Sequence, residues 1–296
     1  MRGSREYTND YRNAGAANST GPAAELPPTP RTAGNRARPG AAPIPPFTAR
    51  ATKGARVYHD DYHEIYDLVM RNRSKDYAAE AAHVAALVRA RAPEAASLLD
   101  VCCGTGLHLR HFAEHFPRPA GLDGSAAMLS LARARVPHAP TWVSDIREMK
   151  VDARFDALVC LFAISHLETP EELADVIGRF AGHLAPGGVI VVEPWLAPEE
   201  FTPGYVSADL VEDGGRTVTR LSHSVLDGGR TDRMRMRVHY AVADPAAGLR
   251  SGEETTRMSL FRPAHYADAF ARAGCAAEHV PGGPFTGGLW VARRGG

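Results

Sequence analysis

No run of this 296-residue sequence approaches the roughly 20 consecutive apolar residues that cross a bilayer, so no membrane partner is expected. The start of the chain also lacks the apolar segment that directs secretion. Charge of one sign is missing: Lys+Arg 34 balance Asp+Glu 34, for a formal net charge of +0. That balance offers no basic face to nucleic acid and no attraction to an anionic membrane. Cysteine is sparse. Cys102, Cys103, Cys160 and Cys275 have neither the spacing of a zinc site nor that of a disulfide framework, and read as reduced thiols of a cytoplasmic protein that needs no metal. What is present suits a globular enzyme with a sizeable core, with hydrophobic residues at 44% and charged residues at 23%. The length admits one large domain, or a domain with a small appendage.

Residues 1–50 differ from the rest. They are rich in Pro, Gly, Ala, Ser and Thr, as in Leu26-Pro-Pro-Thr-Pro30, and carry several arginines against few acids. Such a stretch buries too little apolar surface to offset its ordering entropy, and it reads as a disordered tail. From Tyr58 onward order is expected. A helix over 75–91 ends before Pro93, and a buried strand follows at 97–101. Helices at 107–116, 126–135 and 170–184 then alternate with strands ending near Leu122 and covering 141–143, 155–161 and 188–193. That alternation predicts parallel strands covered by helices on both faces, a doubly wound α/β sheet. Between Trp195 and about Phe261 the period changes to two. Strands at 218–224 and 234–242, with turn residues Asp227-Gly-Gly229, predict an antiparallel β insertion after the fifth strand. A helix at 263–273 and strands at 275–280 and 289–292 return the chain to the main sheet. The expected division is therefore 55–194 with 262–296 as one unit, and 195–261 as an insertion contributing to substrate binding.

Leu98-Leu-Asp-Val-Cys-Cys-Gly-Thr-Gly106 is an apolar strand ending in an acid and a glycine turn, followed by a helix. Gly104 and Gly106 can take positive φ and let the backbone approach a ligand closely. A G-x-G alone is an ordinary strand-to-helix turn. Two further signals fall in register with it. The second strand ends at Asp123, where an acid can accept bonds from both ribose hydroxyls of an adenosine. The third is followed by Asp145, able to bond an adenine amino group, with apolar Ile146 beside the ring. All three lie on the carboxyl edge of one sheet, where such folds bind ligands. A dinucleotide loop would carry a third glycine. Here Leu109 ends Gly104-Thr-Gly-Leu-His-Leu109, which disfavours a pyrophosphate cradle.

The same string resembles the first motif of class I S-adenosylmethionine-dependent methyltransferases, L-D-x-G-C-G-T-G. Cys102 stands where Gly or Ala is usual; it is small, and the turn is expected to form. The resemblance implies a Rossmann-like fold with S-adenosyl-L-methionine as cofactor and S-adenosyl-L-homocysteine as its product. It extends over nearly everything from Tyr58. Tyr66-Asp-Leu-Val, Lys75-Asp-Tyr-Ala-Ala-Glu-Ala81, Val192-Glu-Pro-Trp195, Phe201-Thr-Pro-Gly-Tyr205, Ser222-His-Ser224 and Pro281-Gly-Gly-Pro284 are similar to strings of the N,N-dimethyltransferases of nucleotide-linked (TDP) amino sugars. Those enzymes finish desosamine- and mycaminose-type sugars for macrolide antibiotics. An N-methyltransferase of a deoxyamino sugar is implied, with a small-molecule acceptor and a homodimeric assembly. The cofactor-binding residues would be Tyr66, Asp100, Cys103, Gly104, Thr105, Gly106, Asp123, Gly124, Met128, Asp145, Ile146 and Leu161.

An aliphatic amine is mostly protonated at neutral pH and must shed a proton before its lone pair can attack. His166, after the fourth strand, has an ordinary pKa of about 6.5 that suits a base. The resembling family has a His proposed as base at the matching position, paired with a Tyr that matches Tyr58, and both are carried over. A His that only hydrogen-bonds its loop, a Tyr that only packs in the lid, and catalysis by proximity and desolvation stay open beside them. Tyr77 on the lid, Trp195 after the fifth strand, Tyr205, and Arg257 as a diphosphate contact are the candidate substrate residues. His108, His111 and His115 recur at helical spacing without an acid or cysteine to complete a metal site, so a solvated helix face is expected. Three departures bear on the acceptor. The loop before His166 is one residue shorter and carries Ala163 where the family often has Ser-Ser. Trp195-Leu196 replaces Trp-Trp. Gly287 stands where the pattern P-S-G-R-G-L has Arg, whose planar fork suits phosphate or nucleobase. Methylation of another small natural product, on nitrogen or oxygen, and a non-catalytic cofactor-binding protein are the competing functions.

Overall fold

The strands of the α/β alternation, with the elements between them, account for most of the computed structural model, which describes residues 63–73 and 75–295. Residues 1–50 and Tyr58 lie outside the described residues. In chain order the elements are α1 (His63–Asn72), α2 (Tyr77–Arg89), β1 (Ser97–Val101), α3 (Leu107–His115), β2 (Arg118–Asp123), α4 (Ala126–Arg135), β3 (Thr141–Val143), β4 (Phe155–Cys160), α5 (Pro170–Gly182) and β5 (Leu184–Val192). An all-antiparallel segment follows, β6 (Tyr205–Asp213), β7 (Arg216–Leu226), β8 (Arg233–Asp244) and β9 (Gly248–Ser259), and then α6 (Pro263–Arg272), β10 (Cys275–Val280) and β11 (Leu289–Arg294). The main sheet has seven strands in the order β10-β11-β5-β4-β1-β2-β3. β1 to β5 pair in parallel, whereas β11 runs antiparallel to both β5 and β10, so the sheet is mixed at that edge.

Every residue of β1 is buried, because helices cover both faces of the sheet. Side chains alternate across a strand, and Leu98 and Leu99 accordingly join two different clusters. Leu99, Leu158 and Ile190 pack with Phe180 of α5 and Phe270 of α6, while Leu98, Val159 and Val191 pack with Val84 and Val88 of α2 and Phe112 of α3. α5 shows why the chain is helical there. Thr169 caps it by accepting from the Glu172 N–H at 3.2 Å, Pro170 opens the first turn, and Leu173, Val176, Ile177 and Phe180 form its buried stripe.

The insertion holds four strands where two were expected. β6 and β9 escape a hydrophobic-period search because their inward positions are largely polar. β9 buries Glu254 and Thr256, and β6 turns Val206 and Leu210 outward at 65% and 63% exposure. Gly214 and Gly215, at φ 58° and 81°, make the two-residue turn that pairs Asp213 with Arg216. α1 lies on this second sheet, with Ile65, Leu68 and Val69 against Val211, Val218, Tyr240 and Val242. No described helix is long and apolar enough to cross a membrane.

Phe180 is fully buried between α5 and the sheet. Phe180→Ala is expected to lower unfolding free energy by about 3–5 kcal/mol, measured by denaturant unfolding; a loss under about 1 kcal/mol would contradict this core assignment.

Candidate active site

At the carboxyl end of β1 the backbone turns through three left-handed residues, Cys102 (φ 60°), Gly104 (φ 56°) and Gly106 (φ 79°). The turn closes by Cys103 N–H donating to the Leu122 carbonyl at 3.0 Å and Gly106 N–H donating to the Cys103 carbonyl at 2.9 Å. For Cys102 this conformation carries a cost of about 1–2 kcal/mol that glycine would not incur. Its thiol is pushed up in pKa by a hydrogen bond with Cys160 and then by burial, which disfavours the thiolate. The two glycines differ in use. A Cβ on Gly106 would sit 3.0 Å from Cα and Cβ of Ala132, so this glycine lets α3 lean on α4; a Cβ on Gly104 would meet nothing within 4 Å. Gly104 therefore presents bare backbone to open space. Its N–H donates to Asp123 Oδ2 at 2.9 Å, and Ser125 N–H donates to Oδ1 of the same carboxylate at 2.8 Å.

This loop floors a cleft of about 260 Å³ roofed by α1, α2 and their connection. Of the sequence-derived candidates, Tyr66, Tyr77, Asp100, Cys103, Gly104, Thr105 and Leu161 line it together. Asp123 stands behind the loop that it braces, and Gly106 and the buried Met128 lie with α3 and α4. Gly124 adjoins Ser144, to whose carbonyl a Cβ there would come within 3.9 Å. Asp145 is exposed at the third strand end, accepting from Arg147 N–H at 2.8 Å with the Arg147 guanidinium at 3.2 Å, and Ile146 beside it is buried. His166 ends a 3-10 turn, Ile164–His166. Its ring is hydrogen-bonded to the backbone of Arg257, and burial draws its pKa below the ordinary histidine value. The Arg257 side chain turns away to Asp227 at 2.9 Å. Trp195 meets Phe162 with ring centroids 4.9 Å apart, and Tyr205 opens β6 opposite Ser224.

Several cleft residues were not offered as site residues from the sequence: Lys75, Glu80, Phe162 and Glu193 line it, and so does His108, which was assigned to a solvated helix face. Glu80 is buried at 5% exposure, with Lys75 Nζ at 3.0 Å and His108 Nε2 at 2.6 Å on its Oε2. This corrects the expectation of a solvated histidine face on α3. His108 packs edge-on against Tyr77 at 4.7 Å and faces α2, because α2 covers that side of the helix. The signal was available, since Glu80, Val84 and Val88 share one face at i, i+4 spacing. Two ion pairs tie the roof down: Asp67 pairs with Arg135 and accepts from Thr105 Oγ1, and Arg73 pairs with Asp209 of β6 at 2.7 Å.

Asp100 supplies the test of whether an adenosine-bearing cofactor fits. Its carboxyl is 2% exposed, and Oδ2 has no hydrogen-bond donor among the described residues. Burial, then the charge of Asp123, raises its pKa well above the carboxylate range. A buried acceptor left this way at a strand end, beside bare glycine backbone, fits a ligand that brings donors.

Gly106→Ala is expected to cost about 1–3 kcal/mol of stability and to weaken S-adenosylhomocysteine binding in calorimetry; unchanged affinity would show that the left-handed turn is dispensable. A second expectation concerns pH. Burial lowers the His108 pKa, against the hydrogen bond that its ring donates to Glu80. The unfolded chain therefore takes up this proton first as pH falls below about 6.5. The contribution of His108 is complete above that pH and lost as pH drops toward the folded-state value. Melting temperature should fall from about pH 7 to about pH 5 with a slope that shrinks in His108→Asn; an equal slope in both proteins would contradict this.

Comparison with known proteins gives the same architecture a chemistry. Residues 98–188 match the family model of a methyltransferase domain. The chain is 49% identical over 236 residues to a dTDP-3-amino-3,4,6-trideoxy-alpha-D-glucopyranose N,N-dimethyltransferase of Streptomyces venezuelae, covering 79% of this chain and 98% of that protein. It is 49% identical over 247 residues to a dTDP-3-amino-3,6-dideoxy-alpha-D-glucopyranose N,N-dimethyltransferase of Streptomyces fradiae, covering 83% and 96%. Among solved structures, CalS10 of Micromonospora echinaspora, an amino pentose methyltransferase of calicheamicin biosynthesis with S-adenosylmethionine bound, superposes with a TM-score of 0.69 at 42% identity, covering 82% of this chain and 100% of that one. Relatedness at this level, across nearly the whole of each relative, places the chain: it belongs to the S-adenosylmethionine-dependent N,N-dimethyltransferases of nucleotide-linked amino sugars.

Proposed function

We propose that the protein transfers methyl groups from S-adenosylmethionine to the amine of a nucleotide-linked deoxyamino sugar made for an antibiotic. The observation that carries this is a cleft joining an adenosine-type loop, where buried Asp100 Oδ2 has no donor among the described residues, to acidic and aromatic side chains at the ends of β4 and β5. When bound, the cofactor supplies an electrophilic methyl group on sulfur. Everything else falls to the chain. Gly104 offers backbone at close range. Asp123 holds two loop N–H groups and, with about four lone-pair sites, retains capacity for ribose hydroxyls. Asp145 and Ile146 stand one strand further along for the adenine. Gly124, Met128 and Leu161 complete that wall, and Tyr66, Tyr77 and the lid exclude water.

For the proton, Glu193 places a carboxylate in the cleft at the end of β5, suited to hold an ammonium group. His166 is neutral near pH 7 through its depressed pKa. One ring nitrogen donates to the Arg257 backbone, which leaves the other as acceptor. We propose His166 as the base, with proximity and desolvation contributing beside it. Tyr58 is proposed as its partner, and Trp195, Tyr205 and Arg257 as acceptor contacts supplied by the insertion and its entry. The assembly we propose is a homodimer without nucleic acid.

One observation favours a second reading. At Gly287 only a backbone carbonyl is offered, and His279 holds it at 2.8 Å, so no guanidinium stands where the family pattern has one. An acceptor without a nucleotide would need none. Incubation with cofactor and either a dTDP-amino sugar or the free amino sugar, followed by product mass, decides between them. Addition of two methyl groups to the nucleotide-linked sugar is expected; methylation of nucleotide-free acceptors alone would sink the first reading. His166→Ala is expected to lower kcat by about 100-fold or more, the loss usual for a general base; a smaller loss would leave proximity and desolvation as the larger share.

A further inference from the structure

Phe162 stands at the point where β4 hands the chain to the cleft, and three observations set it apart. Its backbone is left-handed at φ 58°, a conformation that L side chains seldom adopt and glycine adopts freely. It is 37% exposed, whereas the other phenylalanines among the described residues are buried at 7% or less. It lines the same cleft as Asp100 and Glu193. Strained backbone and an exposed aromatic ring each disfavour the residue at this site, and neither is relieved by core packing. Residues held in that way concentrate where a ligand is bound.

The ring is nevertheless oriented. Trp195 meets it edge to face, with centroids 4.9 Å apart and planes at 81°. Lys75 Nζ lies 5.5 Å from its centroid and 5.7 Å from that of Tyr77, so the two ring faces already receive a cation. The loop that follows runs directly into the Ile164–His166 turn, which leaves little backbone between the strand end and that turn and forces the sharp corner at Phe162.

We propose that Phe162, held by Trp195, is the residue that recognises the acceptor, its ring stacking on the C–H face of the deoxygenated, amine-bearing pyranose. The assignment rests on the amino-sugar reading of the cleft. Deoxygenation supplies the chemistry: each hydroxyl removed leaves a C–H surface that an aromatic face covers without stranding a polar group.

Three proteins test it: the wild type, Phe162→Gly and Phe162→Tyr. Melting temperature, S-adenosylhomocysteine affinity and KM for the acceptor are measured on each. Phe162→Gly relaxes the corner, so its melting temperature and cofactor affinity should hold while KM for the amino sugar rises by about tenfold or more. Phe162→Tyr keeps the aromatic face and should restore KM. An unchanged KM in Phe162→Gly overturns the proposal, and so does a parallel loss of melting temperature and cofactor affinity, which would make Phe162 a structural residue. Failure of the amino-sugar reading shows separately, as a wild type that methylates only some other acceptor. That outcome overturns the pyranose contact whatever the variants show, whereas an unchanged KM in Phe162→Gly beside a wild type that methylates the amino sugar overturns it alone.

Discussion

One carboxylate organises the cofactor end of the molecule. Asp123 accepts the N–H of Gly104 from one loop and that of Ser125 from the next, at 2.9 and 2.8 Å. Two strand-to-helix turns are thereby locked to each other, and the turn after β1 can hold left-handed backbone at Cys102, Gly104 and Gly106 without closing over its own open side. Burial raises the pKa of Asp123, and the two backbone donors oppose that rise. Asp100 lies within its field and is raised further by it. Two neighbouring acids on the carboxyl edge thus divide the work: one is satisfied by the chain, and the other keeps an acceptor for what binds.

The roof of the cleft depends on charges that reach across elements. Asp67 of α1 joins Arg135 of α4 and Thr105 of the loop, while Arg73, just past α1, joins Asp209 of β6, which also meets Arg220 at 3.5 Å. Arg220 is 5% exposed, and a cation so buried is tolerable only with its partner in place. α1 is consequently bonded to the cofactor loop on one side and to the insertion sheet on the other. Whatever shifts the insertion shifts the lid. This gives a physical reason for an insertion far along the chain to influence a site built largely from the first half.

Much of this was legible beforehand because it is local. A caps-and-stripe pattern such as Thr169 to Phe180 is written within one helix, and Ala126–Arg135 and Thr141–Val143 were read to the residue. Strand ends in register marked the Gly104 turn with Asp123 and Asp145, and the resemblance added Asp100, Thr105 and Leu161; Asp100, Gly104, Thr105 and Leu161 line the cleft. β6 and β9 were not, because their inward side chains include Glu254, Thr256, Ser207 and Asp209, and polar burial leaves no hydrophobic period. His108 was misread for a related reason. A helix face looks solvated in sequence until a second helix, carrying a buried acid such as Glu80, is laid over it.

The sequence by itself determined the fold class and the adenosine-type loop and disfavoured a dinucleotide cradle, because each depends on residue type over a short span. Only the tertiary structure decided which side chains share the cleft. It set His166 against the Arg257 backbone, gave the Arg257 side chain to Asp227, and brought Lys75, Glu80, Phe162 and Glu193 to the loop. The reason is geometric. Those residues come from the lid and from the ends of β4 and β5, and only the sheet order, with β4 between β1 and β5, sets the distances between them.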